Sequence, residues 1–206
     1  MHWRHRQFAA DASQAAVENA IVELANDAAV DGIFLQYPVP PSLDMRGLLA
    51  RIPTKKNVDA PVPATPYGIV RLLEFGEVRT TGATAVIVGS SGEIAIPLAR
   101  LLSDLGNRVK LIGGDSGDLS AIAREADILV SAAERPKLIR AEHVKPGAAV
   151  VDAGYNRVGA RVVGDVDLEN VEPIAGTVVP MPGGTGPATI ACLLERTWEA
   201  ARRATR

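Results

Sequence analysis

The residues best suited to chemistry fall in two glycine-bearing stretches. In the first, Gly89, Ser90, Ser91 and Gly92 separate the apolar run "TAVIVG" from the helical pattern "EIAIPLARLLSDLG". Backbone N–H groups at such a helix start hold a pyrophosphate, and glycine lets the phosphate come close. The spacing stops short of a full G-x-G-x-x-G, so a tight turn without a ligand fits the same residues. Asp115 follows the next strand pattern, "NRVKLIGG". An acid there suits a ribose 2′-hydroxyl and repels a 2′-phosphate, although a solvated turn residue would look alike. The second stretch, "PMPGGTGPAT", spans Pro180 to Thr189. Its prolines fix backbone angles and its glycines permit close approaches, which together shape a loop ahead of a helix.

The elements that must position these groups are readable from periodicity. "ASQAAVENAIVELAN" spaces Ala16, Ile21 and Leu24 on one helical face, with Asp11 or Ser13 as cap. "DGIFLQYPVP" predicts a short strand stopped by prolines, "DMRGLLARI" a short helix, and "TPYGIVRLLEFG" a helix ending at Gly76. From Thr84 onward, strands ("TAVIVG", "NRVKLIGG", "ILVSAA", "AAVVDAG") alternate with helical patterns. That alternation predicts parallel βαβ units in a doubly wound sheet. The tail from Ala188 reads as a helix whose terminal Arg202, Arg203 and Arg206 suit its C-terminus.

Bulk properties narrow the classes. The 206 residues are 47% hydrophobic and 22% charged, enough for a buried core in one domain or two small ones. A net charge of −2 implies no broad attraction to nucleic acid or anionic membrane. The basic start "MHWRHRQF" is not followed by an apolar stretch of signal or membrane-spanning length. One cysteine, Cys192, within a helical pattern reads as a buried or idle thiol. The expectation is a cytoplasmic protein without a metal site.

Several stretches occur together in one order: "DGIFLQYPVP", "PTKKNVDA", "TPYGIVRLL", "GSSGEIAIPLARLL", "ADILVSAA", "VKPGAAVVDAGYN", "VVGDVDL" and "PMPGGTGPAT". In these the sequence resembles the methylenetetrahydrofolate dehydrogenase/cyclohydrolase family of one-carbon metabolism, over nearly the whole chain. The resemblance implies an α/β fold: a Rossmann-like parallel-sheet domain at 76–186, and a reduced α/β N-terminal domain at 1–75. A C-terminal helix, 187–206, would pack back on the N-terminal domain, with the active site between the domains and a homodimer formed through the dinucleotide domain.

The resemblance also implies roles. Gln36 matches a glutamine beside the catalytic lysine, and Asp59 an aspartate that bonds the pterin ring, since a carboxylate accepts paired N–H donors. On the residues alone, Asp59 equally reads as a loop cap and Gln36 as a buried amide at a strand end. Tyr37, Pro182, Gly183 and Gly184 would line the folate site. Gly89, Ser90, Ser91, Asp115, Ala132, Asn156, Gly184 and Thr189 would line the cofactor site, near Asp152 and Gly154. Asp152 also reads as a brace for a strand end, and Thr189 as a cap of the last helix.

Three departures shape the functional expectation. The family's Tyr-x-x-x-Lys pair, upstream of "DGIFLQYP", has no counterpart in these residues. General acid–base groups contribute roughly 10²–10⁴ in rate, so cyclohydrolase activity is expected to be impaired. Lys55 and Lys56, beside a loop aspartate, read as solvated. Only "APVPA" separates Asp59 from Thr65, where the family is longer, which bears on the folate site. Ser90 stands where the family usually places an arginine for the 2′-phosphate of NADP. With Asp115, this favours NAD over NADP. The expected protein is an NAD-linked methylenetetrahydrofolate dehydrogenase acting on a tetrahydrofolate derivative. A non-catalytic nucleotide- or folate-binding module whose partner supplies the missing helix stays open, as does a dehydrogenase of other substrates on the same scaffold.

Overall fold

The computed structural model describes residues 1–89 and 92–204. Two compact units are found, one of residues 1–61 with 193–206 and the other of residues 62–192.

The larger unit is built on a five-stranded parallel sheet: β1 (Thr84–Val88), β2 (Arg108–Ile112), β3 (Ile128–Ser131), β4 (Ala149–Asp152) and β7 (Thr177–Val179), in the order β2-β1-β3-β4-β7. Successive side chains of a strand point to opposite faces, so continuous apolar runs here mean both faces are covered. Ala85 and Ile87 of β1 pack with Leu98 and Leu102 of α4 (Ala95–Asp104) and with Ile69 and Leu73 of α3 (Ala64–Phe75). Val86 and Val88 pack on the other face with Leu119 and Ala123 of α5 (Leu119–Ala123) and Val171 of α6 (Leu168–Val171). This is the expected doubly wound α/β arrangement.

The resemblance implied domains at 1–75 and 76–186 with a returning helix at 187–206, whereas the compact units part after Pro61 and after Cys192. Helix α3 accounts for the first difference, because Ile69, Val70 and Leu73 belong to the core of the sheet. Three features escaped the sequence reading: the antiparallel pair β5 (Asn156–Val158) and β6 (Arg161–Val163), helix α6, and strand β7. Each is only three or four residues long, too short to show a period.

The smaller unit contains α1 (Gln14–Asn26), capped by Ser13 as expected, and α2 (Met45–Ala50). Its core joins Val17 and Ile21 to Ile33, Leu48 and Ile52. The strand expected in "DGIFLQYPVP" is reduced to one parallel bridge, Ile33 to Asn57. Its partner stretch lies between Pro53 and Pro61, and prolines follow directly at 38, 40 and 41, so prolines bound both stretches and limit how far a ladder could run. The C-terminal helix α7 (Thr185–Ala204) supplies residues 193–204 to this unit. There the Arg196 guanidinium donates to the Val58 carbonyl at 3.3 Å. The helix begins at Thr185 rather than near Ala188, with Pro187 in its first turn, where a missing N–H costs nothing. Cys192 is buried and forms no disulfide.

Candidate active site

The C-terminal ends of β1, β2 and β3 surround a cavity of about 580 Å³. Gly89 follows β1, Gly113 and Gly114 follow β2, and Ala132 and Ala133 follow β3. The chain passes from β1 outward to β2 and then returns to β3 on the other side of β1. Helices therefore leave on opposite faces, and a crevice opens at the reversal, where doubly wound folds bind ligands. Gly89 has φ +145°, and a Cβ there would lie 2.3 Å from the Ala132 carbonyl oxygen. Only glycine lets the two strand ends converge so closely. Hydrogen bonds fix the convergence: Gly89 N–H donates to Ile112 O and Ala132 N–H to Val88 O, both at 2.8 Å.

The expected cofactor residues Gly89, Asp115 and Ala132 thus meet at one cavity. Ser90 and Ser91 lie outside the described residues. The Asp115 carboxylate is exposed and pairs with Arg135, whose guanidinium also donates to Gly114 O at 2.9 Å. Arg135 was missed in the sequence because nothing in "AAERPKLI" ties it to the glycine turn.

Beside the cavity lies a buried carboxylate pair. Asp152 and Asp165 are both 0% exposed. Asp152 accepts from Gly154 N at 3.0 Å and from Asp165 N and Val166 N at 2.9 Å. Burial pushes its pKa up to about 6, against the opposing pull of these three N–H donors. Asp165 accepts from Ser131 Oγ (2.9 Å), Ala133 N (2.7 Å), Arg135 N (2.9 Å) and Asn156 Nδ2 (2.8 Å). At Gly164, a Cβ would lie 1.8 Å from Asp152 Oδ2, so the chain passes over the carboxylate without room for a side chain. Asp152 is the strand brace that its residue type allowed. Asn156 is buried and bound to Asp165 and does not line the cavity. Asp165 and Ser131 were missed. Their only signal was a polar residue closing, or lying close to, an otherwise apolar run.

In the "PMPGGTGPAT" loop the Met181–Pro182 bond is cis and Gly183 has φ +110°. Pro182 and Gly183 are exposed. Gly184 N–H donates to Pro180 O at 2.9 Å, and α7 begins at the next residue. Thr185 was not singled out, yet it is buried and donates its hydroxyl to Asp152 O at 2.8 Å. Thr189 is not the cap it was expected to be. It lies in the second turn of α7 and donates to Thr185 O at 2.9 Å, beside Thr65 Oγ1 at 3.0 Å.

The folate candidates of the smaller unit form a separate group. Gln36 is exposed rather than buried, and its amide donates to Tyr37 O at 2.9 Å. Tyr37 is half-buried, its ring edge-on to Phe34 at 6.4 Å. Asp59 is half-buried, and its backbone N–H donates to Asn57 Oδ1 at 3.0 Å. Lys56 is not solvated as expected: its ammonium donates to Ala25 O at 2.8 Å and Asp27 O at 2.7 Å. It closes the C-terminal end of α1, where carbonyls lack helical partners and a cation is favoured. Lys55 remains exposed. Among the described residues no group of His, Cys, Asp and Glu is arranged to hold a metal ion. None of the described helices is long and apolar enough to cross a membrane.

Comparison with known proteins accords with this geometry. Residues 63–205 match the model of the tetrahydrofolate dehydrogenase/cyclohydrolase NAD(P)-binding domain, and residues 1–59 that of the catalytic domain of the same proteins. The chain is 41% identical to the bifunctional protein FolD 2 of Frankia alni over 215 aligned positions, covering 97% of this chain and 75% of that protein. Among solved structures, the methylenetetrahydrofolate dehydrogenase-cyclohydrolase of Trypanosoma brucei, complexed with NADP cofactor and inhibitor, superposes with a TM-score of 0.91 at 32% identity. That match covers 96% of this chain and 75% of the other. The bifunctional FolD enzyme of Campylobacter jejuni gives 0.88 at 35% identity, over 94% and 75%.

Proposed function

The chain belongs to the tetrahydrofolate dehydrogenase/cyclohydrolase family, and on that premise we propose that it is an NAD(P)-dependent oxidoreductase of one-carbon metabolism, oxidising methylenetetrahydrofolate. The observation that carries this reading is the cavity at the reversal of strand order, lined by the closely approaching Gly89 and Ala132. The residues there fit a dinucleotide. At Gly89 there is no room for a side chain beside Ala132, and at Gly113, which also lines the cavity, a Cβ would meet nothing within 4 Å. Gly89, Gly113 and Ala132 would border the dinucleotide, and Asp115 would accept from the adenosine ribose. When bound, the oxidised nicotinamide supplies the acceptor for the hydride that leaves the substrate's methylene carbon. The work left to this chain is positioning, with Asp59 receiving the pterin N–H edge and Gln36 and Tyr37 bordering the folate.

Hydride transfer is favoured over hydrolysis of the methenyl product. In the sequence no tyrosine is followed four residues later by lysine. The commitment of Lys56 to the carbonyls of Ala25 and Asp27 at the end of α1 supports this reading. Purified 206-residue chain should form NADH from methylenetetrahydrofolate while turning over the methenyl form no faster than buffer does. Hydrolysis matching dehydrogenation in rate would reverse this assignment.

NAD is the preferred cofactor, because Asp115 stands on the lip of the cavity after β2. A second reading has its own support: Arg135 pairs with Asp115 and offers a guanidinium to a 2′-phosphate. Titrations decide between them. NAD should bind more tightly than NADP, and Asp115→Asn should narrow the gap by roughly five- to tenfold, the worth of one charge at close range in water. Tighter binding of NADP would select the arginine reading. The working form is proposed to be a homodimer joined through the dinucleotide unit, which light scattering of the purified chain tests.

A further inference from the structure

We propose that Asp165 is a positioning residue for dinucleotide binding, its buried carboxylate holding the 132–135 loop at the edge of the cavity. The proposal rests on the dinucleotide reading above. Asp165 does not itself line the cavity. Each of its oxygens instead takes one donor from the loop and one from the surrounding frame. Oδ2 receives Ala133 N–H from the loop and Ser131 Oγ from the end of β3. Oδ1 receives Arg135 N–H from the loop and Asn156 Nδ2 from the start of β5.

The loop needs such a hold. Glu134, between the two bonded N–H groups, has φ +54°, a left-handed conformation that non-glycine residues keep only when their surroundings enforce it. Asp165 is anchored in turn: Asp152 accepts its N–H and that of Val166, and Ile139 N–H donates to its carbonyl at 3.0 Å. The result is a rigid path from the frame to the cavity edge. It fixes where the Arg135 side chain leaves the backbone, and therefore where the Arg135–Asp115 pair stands. Four donors converge on one side chain, which suits a carboxylate with two acceptor oxygens. An amide offers one acceptor oxygen and turns an NH₂ group against two of the donors.

The test is titration of Asp165→Asn with NAD and with NADP, alongside its melting curve and its KM for methylenetetrahydrofolate. The dissociation constant for both dinucleotides should rise about ten- to hundredfold, as expected for buried donors left unpaired and a displaced binding loop. The folate KM should stay at the wild-type value, a split that general loss of structure would not produce. If the asparagine variant does not fold, Ser131→Ala decides, because it removes one frame donor and keeps the carboxylate and both loop bonds. That variant should weaken dinucleotide binding about threefold. A folded Asp165→Asn, or failing that a folded Ser131→Ala, with wild-type dinucleotide affinity overturns the proposal. A wild-type chain that binds neither dinucleotide overturns the reading beneath it as well.

Discussion

Gly89 and Asp152 show how single residues set the site. Replacing Gly89 by alanine puts a methyl group against the Ala132 carbonyl at a φ that side chains avoid. Strand ends β1 and β3 must then separate. Dinucleotide affinity should fall by at least about tenfold, and thermal stability should fall with it, as overpacking costs roughly 1–3 kcal/mol. Asp152 makes a pH prediction. Its folded pKa of about 6 lies above the ordinary carboxylate value, so the folded state holds a proton that the unfolded state has released. Its contribution to stability is therefore greatest below about pH 4 and declines until about pH 6, by roughly 3 kcal/mol in all. The stability of wild type relative to Asp152→Asn, from urea unfolding at several pH values, should fall across that window. A difference that stays flat would contradict it. At this scale the meeting of Gly89 and Asp115 at one cavity was legible, because each follows a strand pattern through a glycine turn. Asp165 was not, since its partners lie 9 to 34 residues away.

Elements were legible where they are long or buried on both faces. Strands β1, β3 and β4 show as apolar runs because the sheet is covered on both sides there, whereas the edge strand β2 is largely exposed and carries Arg108 and Lys110. The stretch 31–37 looks the same in sequence, yet it forms one bridge, because a strand needs a partner as well as its own composition. The start of α7 was misplaced for a related reason. Glycines and prolines at 184–187 argue locally against helix, while the bond from Thr185 to Asp152 O anchors a first turn there. The end of α1 gives a test at this scale. Lys56→Met keeps the aliphatic stem but leaves the carbonyls of Ala25 and Asp27 without their cation. Stability should fall by about 1–2 kcal/mol, with dinucleotide affinity unchanged. Loss of dinucleotide binding in this variant would show that Lys56 does more than close a helix.

For the whole molecule, the two units carry different demands. The larger has the continuous sheet, the two-sided core and the braced cavity of a dinucleotide-binding unit. The smaller has two helices, the latter part of α7 and a single bridge among its described residues, with Asp59, Tyr37 and Gln36 on its loops. On the proposed reading, hydride transfer makes the smaller demand on side chains, because the cofactor carries the chemistry and the protein supplies positioning. The family was legible because its motifs run through both units in order. The hold of Lys56 on the end of α1 was not, because its partners lie 29 and 31 residues away. The most direct measurement is NADH formation by the purified chain given NAD and methylenetetrahydrofolate, with Gly89→Ala run alongside. The account predicts steady NADH production by wild type and little or none by the variant. NAD binding without any NADH, or equal rates from both proteins, would contradict it.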